Sequence, residues 1–234
     1  EKRQAVITKA VTKGIDRDAS MKDSGVEWIG EIPEGWQSAK LKFVSKFLNG
    51  YSFSSDDYLE NKEGVPLIRI GDVGQKIDFN EVERVPSDYA KTKSSFLLNK
   101  NDILIALTGA TIGKTSVYGS DKSALLNQRV GVVRATGVDK KYLAYFINSD
   151  YVKKYIELQA YGGAQENIGK QDIGNIYVTA PESKKEQQKI ANYLDEKTSS
   201  IYNAINQIKE QNKKLKEYKK TLISRVVTGK IKIT

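Results

Sequence analysis

The sequence predicts an α+β protein: a globular mixed α/β body followed by a long C-terminal α-helix. Three observations predict it. Residues 183–234 carry apolar residues at helical spacing, with no Gly or Pro before Gly229. The body holds short β-branched runs separated by Gly, Asn and Asp, the pattern of small strands with few helices between them. The two ends also echo each other. "AVITKAVTKGI" (5–15) lies over "TLISRVVTGKI" (221–231) at an offset of 216, placing Ile7, Val11, Thr12 and Ile15 on Ile223, Val227, Thr228 and Ile231.

Residues 1–13 read as the last turns of a helix. Val6, Ile7, Ala10 and Val11 make one apolar face, Gly14 stops it, and the piece is too short to stand alone. Residues 16–37 hold both Trp and four Gly or Pro, a structured, loop-rich stretch. "LKFVSKFLNG" (41–50) reads as a short helix ending at Gly50. Strands are expected in 65–70, 102–109, 113–119, 124–135 and 176–181, and one helix over 139–158, N-capped by Asp139.

From 183 onward Ser183 and Glu186 form a capping-box signature. Apolar residues recur at Ile190, Leu194, Ile201, Ile205, Ile208, Leu215, Tyr218, Leu222 and Val226, a heptad-like seam, with Asn212 as a polar register-setting position. A helix of about 45 residues spans roughly 65 Å. One narrow apolar stripe that long needs another helix beside it; the plainer alternative is an amphipathic helix lying on the body's own core.

Composition excludes several chemistries. With no His and no Cys, serine-triad catalysis, zinc hydrolysis and thiolate chemistry are not available to this chain. The lack of Cys suits a reducing cytoplasm, and no apolar run approaches a membrane span. The chain starts at Glu1 and its single Met is Met21, so it reads as a piece of a longer chain. The net charge of +9 is uneven. Residues 183–234 hold 13 basic and 5 acidic side chains, whereas 21–182 hold 20 and 21. Within the body, 21–88 carry 8 basic against 13 acidic and 89–182 carry 12 against 8, so the second half is the face expected to meet a polyanion.

"TGATIGKT" (108–115) looks at first like a phosphate-binding loop, but Thr108 stands where that motif needs Gly, and a strand, not a helix, is expected after it. It reads better as a Gly-bearing hairpin. "YGGAQENIGKQDI" (161–173) offers Gln165, Asn167 and Lys170, groups that read base edges in a major groove and that equally serve to cap helices and close turns. "KTKSS" (91–95) adds Lys91 and Lys93. "NQRV" (127–130) adds Gln128 and Arg129, on an expected strand that would turn one of them inward.

Several phrases in order resemble one family: "DSGVEWIGEIPEGW", "GVPLIRIGDV", "NDILIALTGATIGKTSV", "ALLNQRVGVVR", "GGAQENIGKQDIGNIYVTAP", "EQQKIANYLDEKTSSI" and "LISRVVTGKI". Together they resemble the specificity subunit of type I restriction–modification enzymes, in its C-terminal half. The resemblance implies that 1–15 end a preceding conserved spacer helix, that 16–182 are a target-recognition domain, and that 183–234 are a spacer helix pairing as an antiparallel coiled coil. It also implies double-stranded DNA as ligand, two methylation subunits as direct partners and restriction subunits as indirect ones. Methyl transfer and cleavage would lie in those partners, leaving this chain non-catalytic, with no cofactor and no metal.

On this reading Gln165, Asn167 and Lys170 are the expected base readers, and Lys91, Lys93, Lys114 and Arg129 the expected phosphate contacts. A front half would be missing, and a homodimer through the C-terminal helix would restore two-fold architecture. The rival from another class is a non-catalytic coiled-coil scaffold with a protein-binding head, supported by the near-neutral body.

Overall fold

The computed structural model describes residues 2–61, 63–161, 167–229 and 231. The chain divides into two compact units, Glu1–Ala191 and Asn192–Thr234. The order of elements is α1 (Lys2–Lys13), β1 (Met21–Asp23), β2 (Glu31–Pro33), β3 (Trp36–Lys40), α2 (Leu41–Val44), β4 (Ser45–Asn49), β5 (Val65–Ile68), β6 (Arg84–Val85), α3 (Tyr89–Thr92), β7 (Ile103–Ala106), β8 (Thr115–Val117), β9 (Leu125–Leu126), β10 (Val130–Ala135), α4 (Lys140–Ile147), α5 (Asp150–Tyr161), α6 (Lys170–Gly174), β11 (Tyr177–Pro181) and α7 (Lys184–Val227). The fold is α+β, as the sequence predicts.

The first unit is built on small sheets. An antiparallel sheet runs β4-β10-β7-β8, and a three-stranded sheet runs β6-β5-β9, with β5 and β9 parallel. β7 is buried on both faces, and Leu104, Ala106, Val130 and Val132 pack with Ile68, Leu126 and Tyr118. A satellite core of Phe53, Val65, Leu67, Val85 and Leu125 gathers Tyr51, Tyr89 and Phe96 around it.

α1 is seated on a buried platform. Ile7, Ala10, Val11 and Thr12 are buried, while Val6 is only half-buried. The carbonyl of Val11 accepts from Tyr142 Oη (3.1 Å) and from Thr179 Oγ1 (3.0 Å), and Asp150 N donates to Thr8 Oγ1 (2.9 Å). Such bonds from buried donors use a carbonyl that a helix end would leave without a partner. Trp36 packs edge-on against Tyr142, with ring centroids 6.3 Å apart, and donates its indole N–H to Glu186 Oε1 at 3.2 Å.

Three local expectations are corrected. Residues 41–50 are not one helix. A single turn (α2) gives way to strand β4, because Ser45–Asn49 pair antiparallel with Gly131–Ala135. Residues 124–135 are two strands interrupted at Asn127–Arg129, where backbone bonds to Ile68 and Tyr51 replace the ladder. Residues 139–158 are two helices, α4 and α5, broken at Asn148–Ser149. Asp139 does cap the first, accepting from Lys141 N and Tyr142 N, each at 3.0 Å.

α7 runs unbroken to Val227, and Gly229 follows with φ +70°. Of the expected seam, Ile190 and Leu194 are fully buried and Ile201 is half-buried. Ile205, Ile208, Leu215 and Leu222 are exposed. At the echoed ends the structure repeats one hydrogen bond. Thr12 Oγ1 donates to Thr8 O at 2.7 Å, and Thr228 Oγ1, 216 residues later, donates to Ser224 O at 2.8 Å.

Candidate nucleic-acid interface

Three backbone segments far apart in sequence are sewn side by side at one end of the antiparallel sheet. β10 begins after the turn Asn127–Arg129, which is tied down by Asn127 N to Ile68 O (3.0 Å) and Gln128 N to Tyr51 O (2.9 Å). Leu107 N then donates to Arg129 O (3.0 Å), and Ile168 N donates to Leu107 O (3.0 Å). Thr108 and Asn167 form an antiparallel bridge beside that last bond. Buried Ile168 pins the third segment to the core. The outcome is a strip that presents Gln128, Arg129 and Asn167 to solvent. It is built on rigid backbone, because each segment uses its main-chain donors on the next.

Gly50 allows this closeness. A Cβ there would stand 2.1 Å from Asn127 O, so no other residue lets residues 50–51 pass the turn. Tyr51 follows, packed edge-on against Phe53 (5.0 Å) and tilted against Phe96 (5.2 Å). Lys93 Nζ lies 4.2 Å from the Tyr51 ring centroid, a cation–π contact that holds the ammonium beside the strip.

Lys114 flanks the other side. The β7–β8 connection is a tight turn in which Ala106 N donates to Lys114 O and Gly113 N to Ala106 O, both at 2.9 Å. Gly113 has φ +74°, a conformation that strains any other residue, and a Cβ there would stand a tight 3.0 Å from Ile156 Cγ2. The strand expected after this loop is present as β8, so no helix N-terminus is offered to a phosphate here. Lys114 and Lys153 share a cleft of about 320 Å³ with Gln75, Thr111, Thr115 and Asn148.

The structure therefore brings Arg129 and Asn167 together, sets Lys93 and Lys114 on either side, and starts α6 at Lys170, exposed three residues beyond Asn167. Lys91 is exposed on α3 and makes none of the contacts that place Lys93. Gln165 lies outside the described residues. Gln128 and Arg129 are both exposed, which corrects the expectation that one would turn inward: they occupy a turn, not a strand.

Sequence reading missed Lys153 and Tyr51. Lys153 had a signal in the basic pair 153–154, but its place beside Lys114 comes from helix α5 crossing the turn. Two other guanidinium groups are used internally. Arg134 makes two bonds to buried Asp102 (2.6 and 2.7 Å), and Arg84 bonds the carbonyls of Gly64 and Phe79. A larger cavity, about 790 Å³, lies elsewhere, between the end of α1 and the first turn of α7, against Lys13, Pro33, Trp36 and Lys189. Among the described residues no group of three His, Cys, Asp or Glu could hold a metal, and no helix is long and apolar enough to cross a membrane.

Residues 33–217 match the family model described as type I restriction modification DNA specificity domain. The chain is 32% identical over 238 residues to the type I restriction enzyme MjaVIII specificity subunit of Methanocaldococcus jannaschii, covering 99% of this chain and 54% of that protein. It is 28% identical over 173 residues to the EcoAI specificity subunit of Escherichia coli, covering 71% of this chain and 29% of the relative. Among solved structures it is similar in fold to the HsdS subunit of Thermoanaerobacter tengcongensis (TM-score 0.60, 18% identity, 86% of this chain and 44% of that one). It is also similar to a chain solved in work on complex assembly and conformational transition of the type I R-M system (TM-score 0.67, 18% identity, 96% and 52%). The chain spans about half the length, or less, of the curated relatives it matches.

Proposed function

Because the chain belongs to the family of type I restriction–modification DNA specificity domains, we propose that it reads one half of a split duplex target for such a complex. The observation that carries this reading is the sewn strip of Gln128, Arg129 and Asn167 between two placed cations, Lys93 and Lys114. The exposed amides of Gln128 and Asn167 on fixed backbone suit base edges in the major groove, and Arg129 with the flanking lysines suits phosphates. Lys170 and Gln165 extend the base-reading set, Lys153 joins Lys114 at the phosphate edge, and Lys91 remains a phosphate candidate.

Residues 16–182 form the recognition domain in this proposal. Residues 1–15 belong to the spacer helix before it, and 183–234 are a spacer helix that pairs as an antiparallel coiled coil. The exposed apolar positions Ile205, Ile208, Leu215 and Leu222 support such pairing, with a second copy of this helix or with the matching helix of a tandem unit. Two methylation subunits dock directly and restriction subunits join through them. The chain itself works in the cytoplasm, without catalysis and without a cofactor.

The test is selection from randomised duplexes, with and without the methylation subunit. Enrichment of one short defined motif is expected. No enrichment in either condition would overturn the reading in favour of a protein-binding scaffold.

A further inference from the structure

The cleft of about 320 Å³ beside the β7–β8 turn carries charge of one sign. Lys114 and Lys153 line it with Thr111, Thr115 and Asn148, over residues 71–75, and no carboxylate does. Asp72 lies in that loop, but it turns its carboxylate to Arg69 N at 2.8 Å, and Asp150, two positions after Asn148, stays outside the cleft. The lining is also unspent. Among the described residues neither ammonium group has an ion-pair partner, and the Thr111 and Thr115 hydroxyls and the Asn148 side-chain amide make no hydrogen bond. Elsewhere hydroxyls are used: Thr12, Thr179 and Thr228 each donate to a carbonyl. The Gln75 amide, too, already donates to Gly71 O (2.8 Å).

Two ammonium groups in one cleft repel each other, and its walls focus their field. An anion between them removes that cost and draws on the hydroxyl and amide groups as well. Ammonium groups act as point charges that suit a tetrahedral phosphate. Planar carboxylates favour a guanidinium fork, and no guanidinium lines the cleft. The cations are also held in place. The Lys114 stem packs over Gly74, with Cδ 3.5 Å from where a Cβ there would stand. Lys153 sits one helical turn before Ile156, which presses on Gly113. One strand joins the cleft to the strip: Ala106 N donates to Lys114 O (2.9 Å), and the next residue, Leu107, holds Arg129 and Ile168.

We propose that this cleft seats a single phosphodiester of the duplex backbone, at a fixed offset from the bases that meet Gln128 and Asn167. The inference rests on the function proposed above and goes past a basic edge. One phosphate, held by Lys114 and Lys153 with Thr111, Thr115 and Asn148, sets the register of the strip.

The full chain is titrated with inorganic phosphate and with chloride at equal ionic strength. The backbone amide resonances of Gly74, Thr111 and Thr115 move saturably with phosphate and not with chloride. Lys153→Gln, which keeps most of the stem, loses that response. The second arm takes the duplex motif from the selection above and makes each phosphate neutral in turn as a methylphosphonate. One position, the same relative to the motif in every flanking sequence, weakens binding by about tenfold, the scale of one charge-assisted hydrogen bond. Lys153→Gln weakens binding by a similar factor and lowers the slope of log affinity against log salt by about 0.9. On the sensitive methylphosphonate duplex it loses nothing further. Lys154→Gln, at the exposed neighbour outside the cleft, leaves the sensitive position where it was. Circular dichroism checks that the variants stay folded. If the amides answer both anions alike, or the two losses add in full, the seat is overturned while motif enrichment keeps the proposed function. A saturable response to phosphate with no sensitive position in the duplex also overturns it, leaving a site for free anions only. If no motif is enriched, the proposed function falls and the duplex contact with it, and the inorganic phosphate arm still decides whether the cleft binds an oxyanion.

Discussion

Tyr142 and Tyr151 stand on either side of the break between α4 and α5, and burial treats their hydroxyls alike. Burial pushes Tyr142 well above the ordinary phenol range, with the Glu186 carboxylate adding to it. Tyr151 is pushed up to about 12, by burial first and then by the phenol of Tyr155. In the unfolded chain a tyrosine ionises near pH 10. Below that pH both states hold the proton, and the contribution to stability is fully present. Between pH 10 and about 12 the unfolded state releases protons that the native state keeps, so stability falls. The urea midpoint should therefore stay level up to about pH 10 and then decline, and Tyr151→Phe should decline less steeply. A midpoint level to pH 12, or a variant as steep as the unaltered chain, would contradict the assignment. Other residue roles were only half-legible. "KTKSS" offers Lys91 and Lys93 as equals in sequence, yet only Lys93 reaches the Tyr51 ring. The choice is made by where Tyr51 lies, and Tyr51 is 42 positions away in the chain.

At the scale of elements, α7 was the easiest to read, because a period repeated over 44 residues outweighs any single exception. The short elements were harder. "LKFVSKFLNG" has an apolar spacing compatible with helix, but pairing with β10 decides for a strand after one turn. "ALLNQRVGVVRA" hides a turn inside an apolar run, since what breaks the strand is the backbone of Ile68 and Tyr51, not a Gly or Pro in the segment. The break at Asn148–Ser149 likewise has no helix-breaking residue. For α7 the exposed seam carries its own prediction. Ile208 is 56% exposed and Leu215 63%, and apolar positions repeated along one long helix favour association. The isolated chain should sediment as a dimer at micromolar concentration. Leu215→Asp should return it to a monomer without altering the near-ultraviolet signal of the first unit, where both Trp lie. A monodisperse monomer before the substitution would rule the pairing out.

At the scale of the whole molecule, the surplus charge and the proposed recognition strip fall on different parts. The surplus of basic residues sits on 183–234, whereas the strip that carries Arg129 and Asn167 belongs to a body of 20 basic and 21 acidic residues. A charge count alone would assign DNA binding to the helix. The geometry instead sets a few cations at fixed places on the body: Lys93 on a ring, and Lys114 and Lys153 in one cleft. Helix lysines such as Lys213, Lys214, Lys219 and Lys220 are exposed along α7, the usual character of a solvated face. The two arrangements differ in how salt acts. Removing a cation that neutralises one phosphate of a duplex lowers the slope of log affinity against log salt by about 0.9. Lys114→Ala with Arg129→Ala should therefore reduce the slope by roughly 2 if both ends meet phosphates, and by roughly 1 if Arg129 reads a base. In the second case the discrimination between the selected motif and its single-base variants also narrows, by about 1–3 kcal/mol at one position. Replacing the four helix lysines by Gln should leave that discrimination unchanged, whatever it does to non-specific affinity. If the helix variant instead lost the preferred motif while the Lys114 and Arg129 variant kept both slope and preference, recognition would belong to the helix and not to the strip.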